Sequence, residues 1–178
     1  MATPTKNFLW VDLEMSGLEV EKCRILEIAA IVTDESFVAL EEYQAVVHQP
    51  QAVLDAMDAW CTENHGKSGL TEAVKKGTPE HEVEDALLAL ISRHFTKDDR
   101  PVLCGNSIAQ DRKFIDAYMP KLAERLHYRM VDVTSFKEIF RSKYGIEHKK
   151  SNAHRALGDI HESISELKHY LSFVKAPN

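Results

Sequence analysis

Apolar positions divide the first part of the chain into three short segments that are typical of β-strands. Residues 8–13 (FLWVDL) are almost entirely apolar, which suits a strand buried on both faces of a sheet. Residues 25–33 and 37–47 are rich in β-branched and aromatic side chains, and the polar residues 34–36 favour a turn between them. The pattern predicts a three-strand meander.

From residue 80 onward, the apolar positions alternate between helical patterns and short strand-like runs. Residues 80–95 carry apolar side chains three or four positions apart, after a Thr-Pro pair that favours a helix start. Short apolar runs at 101–104 and 128–133 predict a fourth and a fifth strand. We expect one helix that ends near Pro120 and another over residues 135–144.

The last predicted helix, residues 155–174, has the clearest amphipathic pattern. Its apolar face consists of Ala156, Ile160, Ile164, Leu167, Leu171 and Val174. Three strands followed by alternating helices and strands predict an α/β fold with a mixed sheet. We expect a single domain over residues 1–178, with its core at about residues 6–175.

Composition and charge restrict the classes of partner. The 178 residues are 44% hydrophobic and 28% charged, as in an ordinary globular protein, and the net charge is −6. Proteins that grip long duplex nucleic acid usually carry a basic surplus, because binding releases counterions from many phosphates. The partner is therefore either not a nucleic acid or a short nucleic acid with few phosphates.

The cysteines and the apolar runs point to the cytoplasm and away from a membrane. Cys23, Cys61 and Cys104 lie far apart without a CxxC pair, which favours reduced thiols over disulfides or a zinc site. The first residues lack a signal-peptide pattern, and no apolar run approaches the ~20 residues of a membrane span. We expect a cytoplasmic protein.

Two carboxylates close the first predicted strand. Asp12 and Glu14 are two positions apart, so that both point to the same side of the sheet. Two neighbouring acids repel each other, and a cation between them would relieve the repulsion. Taken alone, however, such a pair is more often a strand end that emerges into solvent.

Three further residues have side chains suited to the same chemistry. Asp111 follows the fourth strand and Gly105, where open α/β sheets usually bind ligands. Asp159 borders the apolar face of the last helix, and His154 lies five residues earlier, about 140° away on an ideal helix. For both to reach one site, His154 must precede the regular helix, and Ser151 and Asn152 are suitable capping residues. Singly, each could be a surface residue.

As a set, these motifs resemble those of the DEDDh exonucleases. Asp12-x-Glu14, Asn106-x(4)-Asp111 and His154-x(4)-Asp159 occur in the family's order, over about residues 8–170. Segments 10–18, 60–70, 127–129 and 151–159 narrow the resemblance to the oligoribonuclease family, although the stretch before His154 is shorter than expected. The resemblance implies a ribonuclease H-like fold, with a mixed five-stranded sheet flanked by helices.

The resemblance also implies a reaction and its ions. The family consists of hydrolases that remove 5′-mononucleotides from the 3′ end of RNA, here of very short RNA and especially dinucleotides. Two Mg²⁺ or Mn²⁺ ions, typically about 3.5–4 Å apart, would be held by oxygen ligands. Asp12, Glu14 and Asp159 would hold one ion, Asp12 and Asp111 the other, and His154 would be the general base.

A second set of residues is implied to bind the substrate. Leu18 and Trp60 would stack against bases. The remaining contacts, to the second base or a phosphate, would come from His65, Asn106, Ser107, Tyr128, Arg129, Thr134 and Ser135. The family is homodimeric, and the Tyr128 and His65 positions are expected to reach across the interface. A cap over the 5′ phosphate would favour short single-stranded RNA, which fits the acidic net charge.

Two alternatives remain open at this point. A DEDDh deoxyribonuclease of the proofreading kind would share the five catalytic residues, and only the segments around Trp60 and Tyr128 argue against it. An RNA-binding module without activity would gain nothing from four mutually repelling acids. Metal dependence separates enzyme from module, and substrate length and sugar separate the two enzymes.

Overall fold

A computed structural model describes residues 7–148 and 155–175. Its strands are β1 (Phe8–Met15), β2 (Ile25–Thr33), β3 (Ala39–Val46), β4 (Leu103–Gly105) and β5 (Met130–Asp132). Its helices are α1 (Gln51–Asp55), α2 (Ala59–Lys67), α3 (Leu70–Val74), α4 (Glu80–His94), α5 (Ala109–Tyr118), α6 (Pro120–Arg125), α7 (Val133–Tyr144) and α8 (Ala156–Leu171).

The five strands form one mixed sheet in the order β3-β2-β1-β4-β5. The pairs β3-β2 and β2-β1 are antiparallel, whereas β1-β4 and β4-β5 are parallel. This confirms the predicted α/β class and mixed sheet. Because β1, β4 and β5 run in the same direction, their carboxyl ends lie at one edge of the sheet, where such folds bind ligands.

Alternation along β1 determines which side chains face α8. Leu9, Val11 and Leu13 pack in the core cluster that includes side chains of α4, α5 and α6. Trp10 instead packs in the cluster that contains the apolar face of α8. Since strand side chains alternate, Asp12 shares the face of Trp10, as does Glu14. Both carboxylates therefore lie on the α8 side of the sheet.

The structure corrects several predicted boundaries. Strand β1 continues to Met15, and three short helices occupy residues 51–74, where the pattern predicted none. The helix expected to end near Pro120 ends at Tyr118, and α6 begins at Pro120, since proline suits the first helical position. Helix α8 ends at Leu171, so Val174 lies beyond the apolar stripe and is exposed.

Two other features bear on the predictions. Within residues 7–148 and 155–175, no helix has both the length and the apolar character needed to cross a bilayer. Cys23, Cys61 and Cys104 are free thiols. Burial raises the pKa of Cys61 to about 11 and raises that of Cys104 further, so both thiols stay protonated near neutral pH.

Candidate active site

Three carboxylates from distant parts of the chain meet beside the carboxyl end of β1. Asp12, Glu14 and Asp159 each place an oxygen within 4.8 Å of the others, and all three side chains are partly exposed. Asp12 and Glu14 come from the α8 side of β1, and Asp159 comes from the first turn of α8. This arrangement, hereafter the carboxylate cluster, offers the hard oxygen ligands that Mg²⁺ and Mn²⁺ prefer.

The electrostatics of the carboxylate cluster also suit a cation. Burial, together with the negative charges of Asp159 and Glu27, raises the pKa of Glu14 to about 7 against a lowering by Arg155. A divalent ion would offset both the desolvation and the repulsion. The donor set therefore fits the metal that the motifs imply.

Asp111 lies next to the carboxylate cluster but outside the group of three. It is buried in the first turn of α5, and its Oδ1 accepts a hydrogen bond of 2.9 Å from the backbone amide of Leu13. Burial raises the pKa of Asp111 to about 7, and the hydrogen bond from Leu13 offsets part of this rise. Asp111 is thereby held beside the backbone that joins Asp12 to Glu14.

His154 lies outside the described residues, as do Ser151 and Asn152. Regular helix begins at Ala156, and Arg155 before it has extended backbone. The proposed role of His154 as general base stays a prediction.

An apolar cavity of about 380 Å³ opens beside Glu14. It is lined by Leu13, Glu14, Met15, Gly17, Leu18, Asp58, Trp60, Cys61 and His65. The side chains of Leu18 and Trp60 are 74% and 57% exposed, so both present apolar surface to an incoming ligand. The cavity lies within the range typical of small-molecule sites, and its surface suits flat aromatic rings such as bases.

Local sequence explains how Leu18 and Trp60 are presented. Gly17 has a φ of 154°, and a Cβ at this position would lie 2.6 Å from Cys23 Sγ, so the turn before Leu18 requires glycine. Asp58 caps α2 by accepting a hydrogen bond of 2.8 Å from the amide of Cys61. Trp60 therefore projects from the first turn of α2.

His65 belongs to the site of its own chain. It is 2% exposed, its Nε2 lies 2.9 Å from the carbonyl oxygen of Met15, and its Nδ1 lies 4.0 Å from Glu14 Oε2. In the single chain the imidazole is buried and bonded to its own backbone, and the expectation that His65 reaches across a dimer interface stays a prediction. A contact between His65 and substrate in its own site stays a prediction.

Ser107 and Thr134 lie together at the ends of β4 and β5. The Ser107 amide donates to Asp132 Oδ1 and to Thr134 Oγ1, each at 2.9 Å. Asp132 also caps α7 through the amide of Thr134 at 2.9 Å. Ser135 follows in the first turn of α7 and is exposed. These polar groups are available near the parallel edge of the sheet, where a phosphate could bind.

Asn106 links the end of β4 to α8. Its Nδ2 donates to Ser163 Oγ at 2.6 Å and to Glu166 Oε2 at 3.3 Å. Ser163 in turn donates to the carbonyl oxygen of Asp159 at 2.8 Å. Asn106 therefore supports the helix turn that carries Asp159, and substrate binding by its side chain stays a prediction.

Tyr128 and Arg129 form an exposed pair before β5. Tyr128 is 74% exposed, and Arg129 Nε donates to its hydroxyl at 3.0 Å. The Arg129 guanidinium also lies over the Tyr128 ring, 5.4 Å from the centroid. The exposure of Tyr128 is compatible with a contact to another molecule.

Sequence reasoning missed Glu27. It is fully buried on β2, directly opposite Glu14 on β1, and it forms an ion pair of 2.6 Å with Arg155. An acid within the apolar run of residues 25–33 was the available signal, because a buried carboxylate requires a partner. The identity of that partner could not be derived from local pattern.

Comparisons with known proteins agree with this geometry. The exonuclease family model (RNase_T) matches residues 9–167. The oligoribonuclease of Paracidovorax citrulli is 47% identical over 176 residues, which is 96% of this chain and 91% of that protein. The human mitochondrial oligoribonuclease is 44% identical over 170 residues, which is 93% of this chain and 72% of that protein.

Solved structures show the same fold. Exonuclease I of Methylocaldum szegediense is similar with a TM-score of 0.73 at 16% identity, over 93% of this chain and 40% of that one. E. coli exonuclease I in complex with an oligonucleotide has a TM-score of 0.66 at 14% identity. The chain spans about two fifths of these longer proteins, 40% in both cases. From the sequence relatives and the matching exonuclease family, the chain belongs to the oligoribonuclease family and is a hydrolytic 3′→5′ exoribonuclease.

Proposed function

We propose that this exoribonuclease hydrolyses very short single-stranded RNA, especially dinucleotides, to 5′-mononucleotides with two divalent ions. The observation that carries the proposal is the carboxylate cluster, with three oxygens within 4.8 Å of one another, beside an apolar cavity. The name of these relatives, oligoribonuclease, supports a short RNA substrate.

The positions of four acids support their roles as ligands of the two ions. Asp12, Glu14 and Asp159 would hold one Mg²⁺ or Mn²⁺, and Asp12 with Asp111, directly or through water, would hold the second. When bound, two such ions activate water as a nucleophile and stabilise charge on the leaving oxygen. The chain's part is to fix these oxygens before substrate arrives, through β1 and α8.

The proton of the attacking water also needs an acceptor. We assign this role to His154, because histidine ordinarily has a pKa near neutrality. Its neighbour Arg155 is anchored to Glu27 at 2.6 Å, directly before the helix that carries Asp159. His154 would therefore accept a proton close to the carboxylate cluster.

The cavity and its rim would select the substrate. Leu18 and Trp60 would hold the bases by stacking, which is worth roughly 1–3 kcal/mol per base and tolerates any sequence. Polar contacts to the second base or the 5′ phosphate would come from His65, Asn106, Ser107, Tyr128, Arg129, Thr134 and Ser135. A cap over that phosphate excludes longer RNA, and few phosphate contacts suit a net charge of −6.

Assembly and location complete the proposal. We propose a homodimer in which Tyr128, 74% exposed, contacts the site of the second copy. The cytoplasmic location and the single domain over residues 1–178 belong to the same proposal.

The decisive experiment measures hydrolysis of a 5′-labelled RNA dinucleotide, an RNA seven-mer and matching DNA oligomers. Each is incubated with Mg²⁺, with Mn²⁺ and with a chelator. We expect rapid, metal-dependent cleavage of the dinucleotide, ahead of the seven-mer and of DNA. Equal or faster cleavage of long RNA would contradict the capped site, and faster cleavage of DNA would favour the deoxyribonuclease. Cleavage that survives chelation would remove the two-ion mechanism.

A further inference from the structure

Glu27 is a buried acid whose oxygens are occupied by protein donors. Its Oε1 accepts from Arg155 Nη2 at 2.6 Å and from Gln44 Nε2 at 2.8 Å. Its Oε2 accepts from Arg155 Nε at 3.1 Å and from the amide of Ala156 at 3.3 Å. A carboxylate with this many donors is not available as a metal ligand, although it lies opposite Glu14.

The partners of Glu27 lie at the beginning of α8. Arg155 donates hydrogen bonds to both carboxylate oxygens. The amide of Ala156, the first residue of the helix, also donates to Glu27. Such two-point contacts fix orientation as well as distance. The Glu27 carboxylate therefore determines where α8 begins relative to β1 and β2.

The contact between Arg155 and Glu27 lies one helical turn before Asp159, which belongs to the carboxylate cluster. The amide of Asp159 donates to the carbonyl oxygen of Arg155 at 3.0 Å, so the two residues belong to the same first turn. Asp159 completes the carboxylate cluster with Asp12 and Glu14. A shift of Arg155 would therefore move Asp159 away from β1.

We propose that Glu27 and Arg155 are positioning residues, which hold Asp159 in register with Asp12 and Glu14 without touching ion or substrate. The inference rests on the proposed function, because that function assigns the role of metal ligand to Asp159. Groups that orient metal ligands typically change metal affinity or activity by about 10–100-fold when removed. The pair is therefore expected to matter for metal binding more than for folding.

A second arginine–glutamate pair provides a matched control. Arg93 contacts Glu41 through two nitrogens, at 2.5 Å and 3.1 Å, and connects α4 to β3. Neither residue belongs to the carboxylate cluster or lines the cavity beside it. Removing this pair also breaks an arginine–carboxylate ion pair, but at a position to which we assign no role in the reaction.

The experiment compares Glu27→Gln, Arg155→Met and the double variant with Glu41→Gln and Arg93→Met, all in the full-length chain. Binding of Mn²⁺ is measured by calorimetry without substrate, hydrolysis of an RNA dinucleotide is measured at saturating Mn²⁺, and folding is followed by thermal melting. We expect each single variant of the Glu27 pair to weaken Mn²⁺ binding and lower kcat by about tenfold or more. The double variant should lose about as much as one single variant, because the two residues act as a unit. The control variants should stay within about twofold of wild type.

The outcomes separate this inference from the proposed function. Wild-type protein that neither binds Mn²⁺ nor cleaves the dinucleotide would refute the proposed function. Folded variants of the Glu27 pair with wild-type Mn²⁺ affinity and kcat would overturn only the positioning role, even if they melt earlier. If Arg155→Met alone fails to fold because it leaves the buried Glu27 carboxylate unpaired, the double variant removes that charge and Arg155→Lys retains a cation against Glu27, so either can decide the question.

Discussion

The carboxylate cluster and the rim of the adjoining cavity differ in how the chain holds them. Asp12 and Glu14 lie on β1, and Asp159 lies on α8. The apolar side chains of α8 pack in one core cluster with Trp10 of β1. Leu18 and Trp60 lie on a turn and a short helix, and their side chains are largely exposed. Ligands of an ion need fixed positions, whereas a surface that admits and releases substrate must remain open.

The difference predicts two classes of variant. Changes in the carboxylate cluster should affect metal binding and every substrate alike. Changes in the rim should leave metal binding intact and depend on the substrate offered. The following experiments test this division, beginning with the largest expected effect.

Replacing Asp12 by asparagine should abolish activity on all substrates. The carboxylate is shared by both proposed ions, and losing several kcal/mol of charge stabilisation corresponds to about a thousandfold in rate. The measurement is kcat/KM for an RNA dinucleotide and a seven-mer. Asp116→Asn, which changes an exposed carboxylate paired with Arg112, should be nearly normal. Asp12→Asn protein with activity within tenfold of wild type would contradict the metal assignment.

Glu14 should make metal-free protein less stable as pH rises. Its pKa in the folded state is about 7, against 4.5 as its ordinary value, so between these values the folded state retains a proton that the unfolded state releases. This share of stability is present below about pH 4.5 and is lost as pH rises to about 7.

The free energy of unfolding, measured by denaturant titration in chelator, tests this effect. Between pH 4.5 and 7, wild type should lose on the order of 2–3 kcal/mol relative to Glu14→Gln, which has no proton to release. The comparison cancels the contributions of the histidines and Asp111 to the pH dependence, because both proteins contain these residues. Parallel pH profiles of the two proteins would show that Glu14 is not the responsible group. Saturating Mn²⁺ should abolish the difference in slope.

Trp60→Ala should weaken substrate use without affecting the ions. Loss of stacking costs roughly 1–3 kcal/mol, or about 5–150-fold in kcat/KM for the dinucleotide. Trp60→Phe retains an aromatic face and should recover most of the activity. Calorimetry should give the wild-type affinity for Mn²⁺ in both variants. Unchanged kinetics in Trp60→Ala would remove the stacking role, and weakened Mn²⁺ binding would break the division between rim and carboxylate cluster.

Tyr128→Phe should give the smallest effect, and one that depends on substrate length. The hydroxyl accepts a hydrogen bond from Arg129, and one such contact contributes about 1 kcal/mol. The ratio of dinucleotide to seven-mer cleavage should therefore fall several-fold, with little change for the seven-mer. Tyr144→Phe, at an exposed tyrosine on α7, is the matched control. An unchanged ratio in Tyr128→Phe would argue against its part in the cap.

Local pattern was sufficient for the regular parts of the fold that carry the carboxylate cluster. Alternation along β1 places Asp12 and Glu14 on one face, and the apolar stripe of α8 places Asp159 at its border. Both periods depend only on near neighbours in the chain, so they can be counted in the sequence. The three short helices over residues 51–74 were missed because each is too brief to show a period.

The sequence by itself determined the strand and helix pattern, the mixed α/β class and the set of acidic residues that form the site. Tertiary structure decided what each acid contacts. Asp111 meets the amide of Leu13 across 98 positions of the chain, and Arg155 meets Glu27 across 128. It likewise placed His65 inside its own chain, beside Glu14. Such contacts depend on how elements pack after folding, and a buried polar group requires a partner without specifying which residue provides it.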